Sequence, residues 1–154
     1  MKFYTKETND IIEKYFPGAE ELTNQRVGSA ADYILPDGTI IEVKLDFMAS
    51  KTGNLYVEYQ YTNPKETRSS GLALTAERGY TAVIVILDYK RNIQKILKMP
   101  AKDLLSKCID GKMKSVETGQ RANGNREGVK SKGYLFPIKQ APLEWDIILG
   151  DLCY

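Results

Sequence analysis

Residues 82–87 form an unbroken apolar run, Ala-Val-Ile-Val-Ile-Leu, and this run restricts the possible folds of the chain more than any other feature. A strand with one face in water alternates apolar and polar residues, whereas a continuous apolar run is typical of a strand covered on both faces. We therefore predict a central strand here, with layers of structure packed on each side of it.

The segments around this run alternate between strand and helix patterns. Further strands are predicted over residues 33–35, 39–44, 55–61, 93–99 and 134–138. Helices are predicted over residues 8–16, from Ser69 or Ser70 to about Arg78, and from Pro100 to about Cys108. Loops are predicted over residues 45–54, 62–70 and 111–132. This order predicts an α/β (α+β) fold in which a central mixed β-sheet is flanked by helices.

The length of 154 residues suits a single domain over residues 1–154 with a real core. Residues 1–7 are too polar for a signal peptide, and no apolar run approaches the roughly 20 residues that cross a bilayer. We therefore expect a cytoplasmic protein with no membrane partner.

The chain contains no histidine, and its two cysteines, Cys108 and Cys153, lie far apart. Ser-His-Asp and Cys-His catalysis are therefore excluded, as is nearly all zinc hydrolysis. We expect both cysteines to be reduced, inert thiols. Any catalysis must rest on carboxylates and lysine, and carboxylate oxygens favour hard cations such as Mg²⁺ or Mn²⁺.

The segment from Asp32 to Lys44 carries the candidate chemistry. Its centre, Pro-Asp-Gly at residues 36–38, separates two apolar runs and predicts a hairpin. With a three-residue loop, the register places Asp32 opposite Glu42. Because opposite residues share a face, as do residues two apart, Asp32, Glu42 and Lys44 are expected on one face of the sheet.

Two carboxylates with Cβ atoms ~5 Å apart repel each other unless a cation lies between them. A divalent metal beside Lys44 meets this need, and the combination suits phosphodiester hydrolysis. Glu58 and Gln60, on the polar side of the next strand, are candidates for a further ligand or for holding water.

A plainer interpretation stands beside this one, since Glu-x-Lys on a strand is common and usually forms a solvated, weak ion pair. Two features favour the site. Ile34 and Ile40 share the acidic face, which indicates a central strand, and a buried pair of like charges needs a reason. The small residues at 28–31 also leave room for a ligand backbone to approach Asp32.

Asp32, nine intervening residues and then Glu42-Val43-Lys44, after an N-terminal helix, resemble the motif of the PD-(D/E)xK nuclease superfamily. Its members include restriction enzymes, Holliday-junction resolvases, some homing endonucleases and phage nucleases. The motif match spans residues 31–44, with Ala31 where the motif's name has proline, a position that varies. A weaker similarity in element order continues to about residue 138.

The resemblance implies a restriction-endonuclease-like fold and a role for each motif residue. Asp32, Glu42 and the Val43 carbonyl are implied as metal ligands, and Lys44 as the catalytic lysine. An acidic residue on the first helix assists the metal in some such enzymes. Glu7 and Glu13 are the candidates in this sequence.

Residues 107–132 carry seven basic and three acidic residues, so this segment is +4 while the whole chain is +2. Such an excess predicts a phosphate-binding loop, and a mobile solubilising loop is the alternative. The side chains that suit DNA contacts here are Gln120, Arg121, Asn123, Asn125, Arg126, Lys130 and Lys132. Lys65 and Arg68 are candidates for a second phosphate contact.

These observations predict a Mg²⁺- or Mn²⁺-dependent endonuclease acting on double-stranded DNA, of sequence-specific homing or restriction type. A homodimer or higher homo-oligomer is expected, because cutting both strands with one site per subunit calls for symmetry. Three alternatives stay open: a structure-specific Holliday-junction resolvase, a non-catalytic DNA-binding protein on the same fold, and an RNA-directed or exonucleolytic enzyme.

Overall fold

The computed structural model describes residues 6–22, 32–119 and 128–147. The helices in these ranges are α1 (Lys6–Tyr15), α2 (Ala49–Thr52), α3 (Gly71–Glu77) and α4 (Ala101–Asp110). The first strands are β1 (Glu20–Glu21), β2 (Tyr33–Ile34), β3 (Ile40–Asp46), β4 (Asn54–Thr62) and β5 (Thr67–Ser69). The remaining strands are β6 (Thr81–Leu87), β7 (Ile93–Pro100), β8 (Ser115–Gly119) and β9 (Lys130–Pro137). Two short 3₁₀-helices, Ile138–Gln140 and Leu143–Trp145, follow β9.

The first sheet is mixed and has the strand order β1-β2-β3-β6-β7. Strands β3 and β6 pair in parallel, and the other neighbours pair antiparallel. Along β6, Val83, Val85 and Leu87 pack into a core with α1, while Ala82 and Ile84 pack into a second core with α4. The predicted central strand, covered on both faces of a mixed sheet flanked by helices, is confirmed.

A second, antiparallel sheet with the order β5-β4-β9-β8 was not expected from the sequence. Its strands β8 and β9 occupy both ends of the segment 111–132, so the prediction of one continuous loop there is wrong. These two strands lack the alternation of apolar and polar residues that identifies a strand in a sequence, because charged residues stand at several positions. Glu117 lies opposite Lys132 and forms an ion pair with Lys130 at 3.3 Å. Such opposite charges on neighbouring strands stabilise a sheet without any apolar pattern.

The predicted loops over residues 45–54 and 62–70 are also only partly correct. The first contains the end of β3 and helix α2, and the second contains β5. Asp46 holds α2 in place, because its Oδ1 accepts hydrogen bonds from the backbone N–H groups of Met48 (3.1 Å) and Ala49 (2.8 Å). Gly53, at a φ of 78°, then ends the helix in a left-handed conformation.

The core between the two sheets contains the buried aromatic side chains Phe136 and Trp145. Phe136 is 1% exposed, lies opposite Leu55 in the β4–β9 pair, and packs against the Trp145 ring with a centroid separation of 6.3 Å. Trp145 is therefore part of the core. None of the described helices is both long and apolar enough to cross a membrane.

Cys108 is buried in this same core, and burial raises the pKa of its thiol to about 12. A thiol with so high a pKa carries almost no thiolate at neutral pH, which agrees with the inert role expected for it. Cys153 lies outside the described residues.

Candidate active site

The hairpin that carries the motif has the predicted register. Tyr33 pairs with Ile41 and Ile34 pairs with Ile40. Gly38 adopts a φ of 90°, the left-handed conformation that the three-residue loop needs. The backbone N–H of Asp32 donates to the Ile41 carbonyl at 2.9 Å, so Asp32 stays bonded to β3 beyond the last strand pair, Tyr33 with Ile41.

A cavity of about 210 Å³ lies beside this hairpin, between the two sheets and helices α3 and α4. Glu42 and Lys44 reach it from β3, and Glu58 lines it from β4. Several of its other walls are apolar, formed by Val57, Leu72, Ala82, Ile84 and Leu104. Charges act more strongly on each other in such a setting than in water, because the local dielectric constant is lower.

Lys44 is the cation of this cavity and is held by Tyr56 in two ways. Its Nζ donates a hydrogen bond to the Tyr56 carbonyl and lies 5.4 Å from the centroid of the Tyr56 ring. Burial lowers the pKa of Lys44, while the charges of Asp46 and Glu58 act in the opposite direction. One N–H of the ammonium is used by Tyr56, which leaves two donors for other groups.

Glu42 is half-buried on β3, and its Oε2 is shielded from solvent. A carboxylate out of contact with water is costly unless a cation or hydrogen-bond donors compensate it. Glu42 lines the cavity, so its carboxylate is placed where it can meet a cation or a polar ligand.

Asp32 lies next to the cavity and is not one of its lining residues. Its side chain is 1% exposed, and Oδ2 accepts a hydrogen bond of 2.8 Å from the backbone N–H of Val43. The N–H and C=O of one strand residue point to the same side of the strand. The Val43 carbonyl therefore points toward the side of β3 on which Asp32 lies.

Gly71 and Tyr56 shape the cavity, and sequence reasoning missed both. A Cβ at position 71 would lie 2.8 Å from the Glu58 Cβ and 2.9 Å from the Glu58 carbonyl oxygen, so only glycine permits this approach of α3 to β4. A glycine directly after Ser70, the residue at the N-cap position of α3, was the signal available in the sequence. For Tyr56, the signal in the sequence was its position two residues before Glu58, which places both side chains on the same side of the predicted strand.

Gln60 does not reach the cavity. A bulge interrupts the pairing of β4 with β9, so Glu58 lies opposite Gly133 and Gln60 lies opposite Lys132. Neighbouring residues of β9 point to opposite faces, and directly opposite residues share a face. The bulge therefore turns Gln60 to the other face from Glu58, whereas strict alternation had placed them together.

Glu7 lies on α1, which packs on the opposite face of the first sheet from the cavity core. Both of its carboxylate oxygens accept hydrogen bonds from Arg91, one of them at 2.7 Å from Nε. This pair holds the pKa of Glu7 below its ordinary value of 4.5. The structure thus does not bring Glu7 to the other candidate ligands, and Glu13 is exposed on the same helix.

We expect Glu7→Gln to lower the free energy of unfolding at pH 7 by about 0.5 kcal/mol, the size typical of a surface ion pair. The pKa of Glu7 is lower in the folded chain, so its stabilisation is present above the unfolded value of 4.5 and is lost as the pH falls through the folded value. Urea unfolding of both proteins at pH 7 and about pH 2 measures this. An equal difference at both pH values would contradict the ion-pair explanation.

The candidate DNA-contacting residues are divided between two faces of the second sheet. Arg68 is exposed, pairs with Tyr61, and its guanidinium lies 4.7 Å from the Tyr61 ring centroid. Lys132 lies opposite Gln60, the residue next to Tyr61 on β4. Because neighbouring residues of a strand point to opposite faces, Lys132 points to the other face from Arg68. Lys130 and Lys65 are exposed. The candidates Gln120, Arg121, Asn123, Asn125 and Arg126 lie outside the described residues.

No protein-family model matches the sequence, and no curated protein matches it either. The described part of the chain also contains no group of three His, Cys, Asp or Glu side chains arranged to hold a metal ion. The function is therefore inferred from the motif residues and from their geometry around the cavity.

Proposed function

We propose that this protein is a Mg²⁺- or Mn²⁺-dependent nuclease that hydrolyses phosphodiester bonds in double-stranded DNA. The observation that supports it most is the presence of Glu42, Lys44 and Glu58 in one cavity with apolar walls. Glu42 and Lys44 are two of the three side chains that the similarity to PD-(D/E)xK nucleases implies, and the third, Asp32, is bonded to the backbone N–H of Val43 between them. The proposal includes a homodimer or higher homo-oligomer, since each subunit carries one such cavity.

The donor atoms present suit a hard divalent cation. Glu42 offers a shielded carboxylate oxygen, and Glu58, Asp32 and the Val43 carbonyl supply further oxygens nearby. Mg²⁺ is usually held by one or two carboxylates, with water and substrate phosphate completing its shell, so three clustered carboxylates are not required. When bound, such an ion lowers the pKa of water and neutralises charge on a phosphate.

The residues of the chain have separate tasks in this proposal. Glu42 would hold the ion, with Asp32 as the neighbouring carboxylate. Lys44 presents two free N–H donors to a phosphate oxygen or to the attacking water, and the low dielectric of the cavity strengthens this interaction. Glu58, across the cavity, accepts a hydrogen bond from water and keeps a negative charge facing Lys44.

Cleavage of a DNA panel tests the proposal directly. Supercoiled plasmid, linear duplex and a four-way junction are incubated with Mg²⁺, with and without chelator, for the wild type and for Lys44→Met. We expect chelator-sensitive cleavage by the wild type and none by the variant. Preference for the junction would indicate a resolvase. Tight DNA binding without cleavage of any substrate would favour the non-catalytic alternative, and RNA cleavage alone would contradict the proposed substrate.

A further inference from the structure

The Tyr56 hydroxyl begins a chain of three hydroxyl groups that crosses the second sheet. It lies 2.8 Å from Ser131 Oγ, and Ser131 Oγ lies 2.8 Å from Thr118 Oγ1. The three residues stand on the adjacent strands β4, β9 and β8, and Ser131 is 2% exposed. Because the central hydroxyl of this chain is buried, its hydrogen bonds help to fix the direction of the Tyr56 side chain.

The Tyr56 ring is also fixed by close packing on Gly133. A Cβ at position 133 would lie 2.5 Å from two atoms of the ring, so the ring occupies the space that any other residue would fill. The ring therefore has a hydrogen bond at its tip and backbone beneath its face.

Lys44 receives both of its contacts from this anchored residue, one from the carbonyl and one from the ring. Lysine has a flexible four-carbon stem, and its ammonium is not directed unless its surroundings hold it. We infer that Tyr56 is the positioning residue of Lys44. The hydroxyl chain through Ser131 and Thr118 and the packing on Gly133 hold the Tyr56 ring in place. The fixed ring and the Tyr56 carbonyl then fix the position of the Lys44 ammonium. The catalytic meaning of this role rests on the proposed nuclease function.

The first test uses the protein without DNA and does not depend on catalysis. In protein labelled with ¹³C at the lysine ε-carbons, the Lys44 signal is assigned by its loss in Lys44→Met. The order parameter of that carbon and the ring-current shift of its protons are then measured. We expect Tyr56→Leu to lower the order parameter and to abolish the ring-current shift.

Tyr59→Leu is the matched control. Tyr59 also stands on β4 and also bonds a serine of the second sheet, Ser115, at 2.7 Å, but it stacks on Tyr134 and does not contact Lys44. Its replacement is expected to leave the Lys44 signal unchanged. An unchanged Lys44 order parameter in folded Tyr56→Leu, or an equal fall in Tyr59→Leu, would overturn the inference. If Tyr56→Leu does not fold, Ser131→Ala supplies the same comparison with a smaller expected fall.

Kinetics separate positioning from a general loss of stability. We expect Tyr56→Leu to lower the kcat of DNA cleavage about 10- to 100-fold with little change in KM, the cost typical of a misplaced group. Tyr56→Phe keeps the ring and its packing on Gly133 but loses the hydroxyl chain, and its kcat is expected to fall between those of Tyr56→Leu and the wild type. A rise in KM with unchanged kcat would contradict positioning. If the wild type cleaves no DNA, the nuclease function fails, while the NMR comparison still decides whether Tyr56 orders Lys44.

Discussion

Glu42→Gln is expected to lower the kcat of metal-dependent DNA cleavage by about 10²- to 10³-fold, with DNA binding retained. Glutamine keeps the shape of the side chain, and the neighbours of Glu42 on β3 continue to pair with β6. The change removes a negative charge whose Oε2 is shielded from solvent in the cavity. The fold and the DNA-contacting surface are therefore preserved while the proposed ion loses a ligand.

Glu117→Gln is the control for this variant. Glu117 also lies on a strand, but it is exposed on β8, pairs with Lys130 and does not line the cavity. The Glu117→Gln variant is expected to cleave DNA at the wild-type rate. Raising the Mg²⁺ concentration further separates two roles for Glu42, because a lost metal ligand is partly compensated by mass action and a lost proton acceptor is not. Wild-type cleavage by Glu42→Gln at all Mg²⁺ concentrations would contradict the site assignment.

The motif hairpin was predictable because its determinants are local. A Pro-Asp-Gly loop fixes the register, and apolar residues on both sides agree with it, so the pairing of Tyr33 with Ile41 and of Ile34 with Ile40 followed from counting residues. The central strand was predictable for a similar reason, since an apolar run at 82–87 has to be covered on both faces. Both conclusions required no knowledge of distant segments.

The remainder of the site depends on contacts between segments that lie far apart in the sequence. The bulge that separates Glu58 from Gln60 exists only in the pairing of β4 with β9, more than 70 residues away. The ion pair of Glu7 with Arg91 joins residues 84 positions apart and removes Glu7 from the candidate ligands. Local patterns of polarity carry no record of such partners, and so they placed Gln60 and Glu7 incorrectly.

Phe136→Ala is expected to lower the free energy of unfolding by about 3–5 kcal/mol, the largest effect on stability that we predict. Phe136 is 1% exposed and joins three parts of the structure: Leu55 of β4, the Trp145 ring, and the side chains of α4 in the same core. Removing the ring leaves a cavity that the two packed sheets cannot readily close. Urea denaturation followed by tryptophan fluorescence measures the change, since Trp145 is the one tryptophan in the chain.

Tyr89→Ala is the control, because Tyr89 is also aromatic but is 87% exposed, and we expect its replacement to cost less than about 0.5 kcal/mol. A domain of this size is usually stable by about 5–15 kcal/mol, so the Phe136 change removes a large fraction of the total.

The same core holds the sheet with Glu58 and Tyr56 against the sheet with Glu42 and Lys44. We therefore expect cleavage and fluorescence to be lost in one transition as urea is raised. Loss of cleavage at a lower urea concentration than loss of fluorescence would mean that the cavity opens before the core around Trp145 unfolds. That outcome would contradict a single cooperative transition.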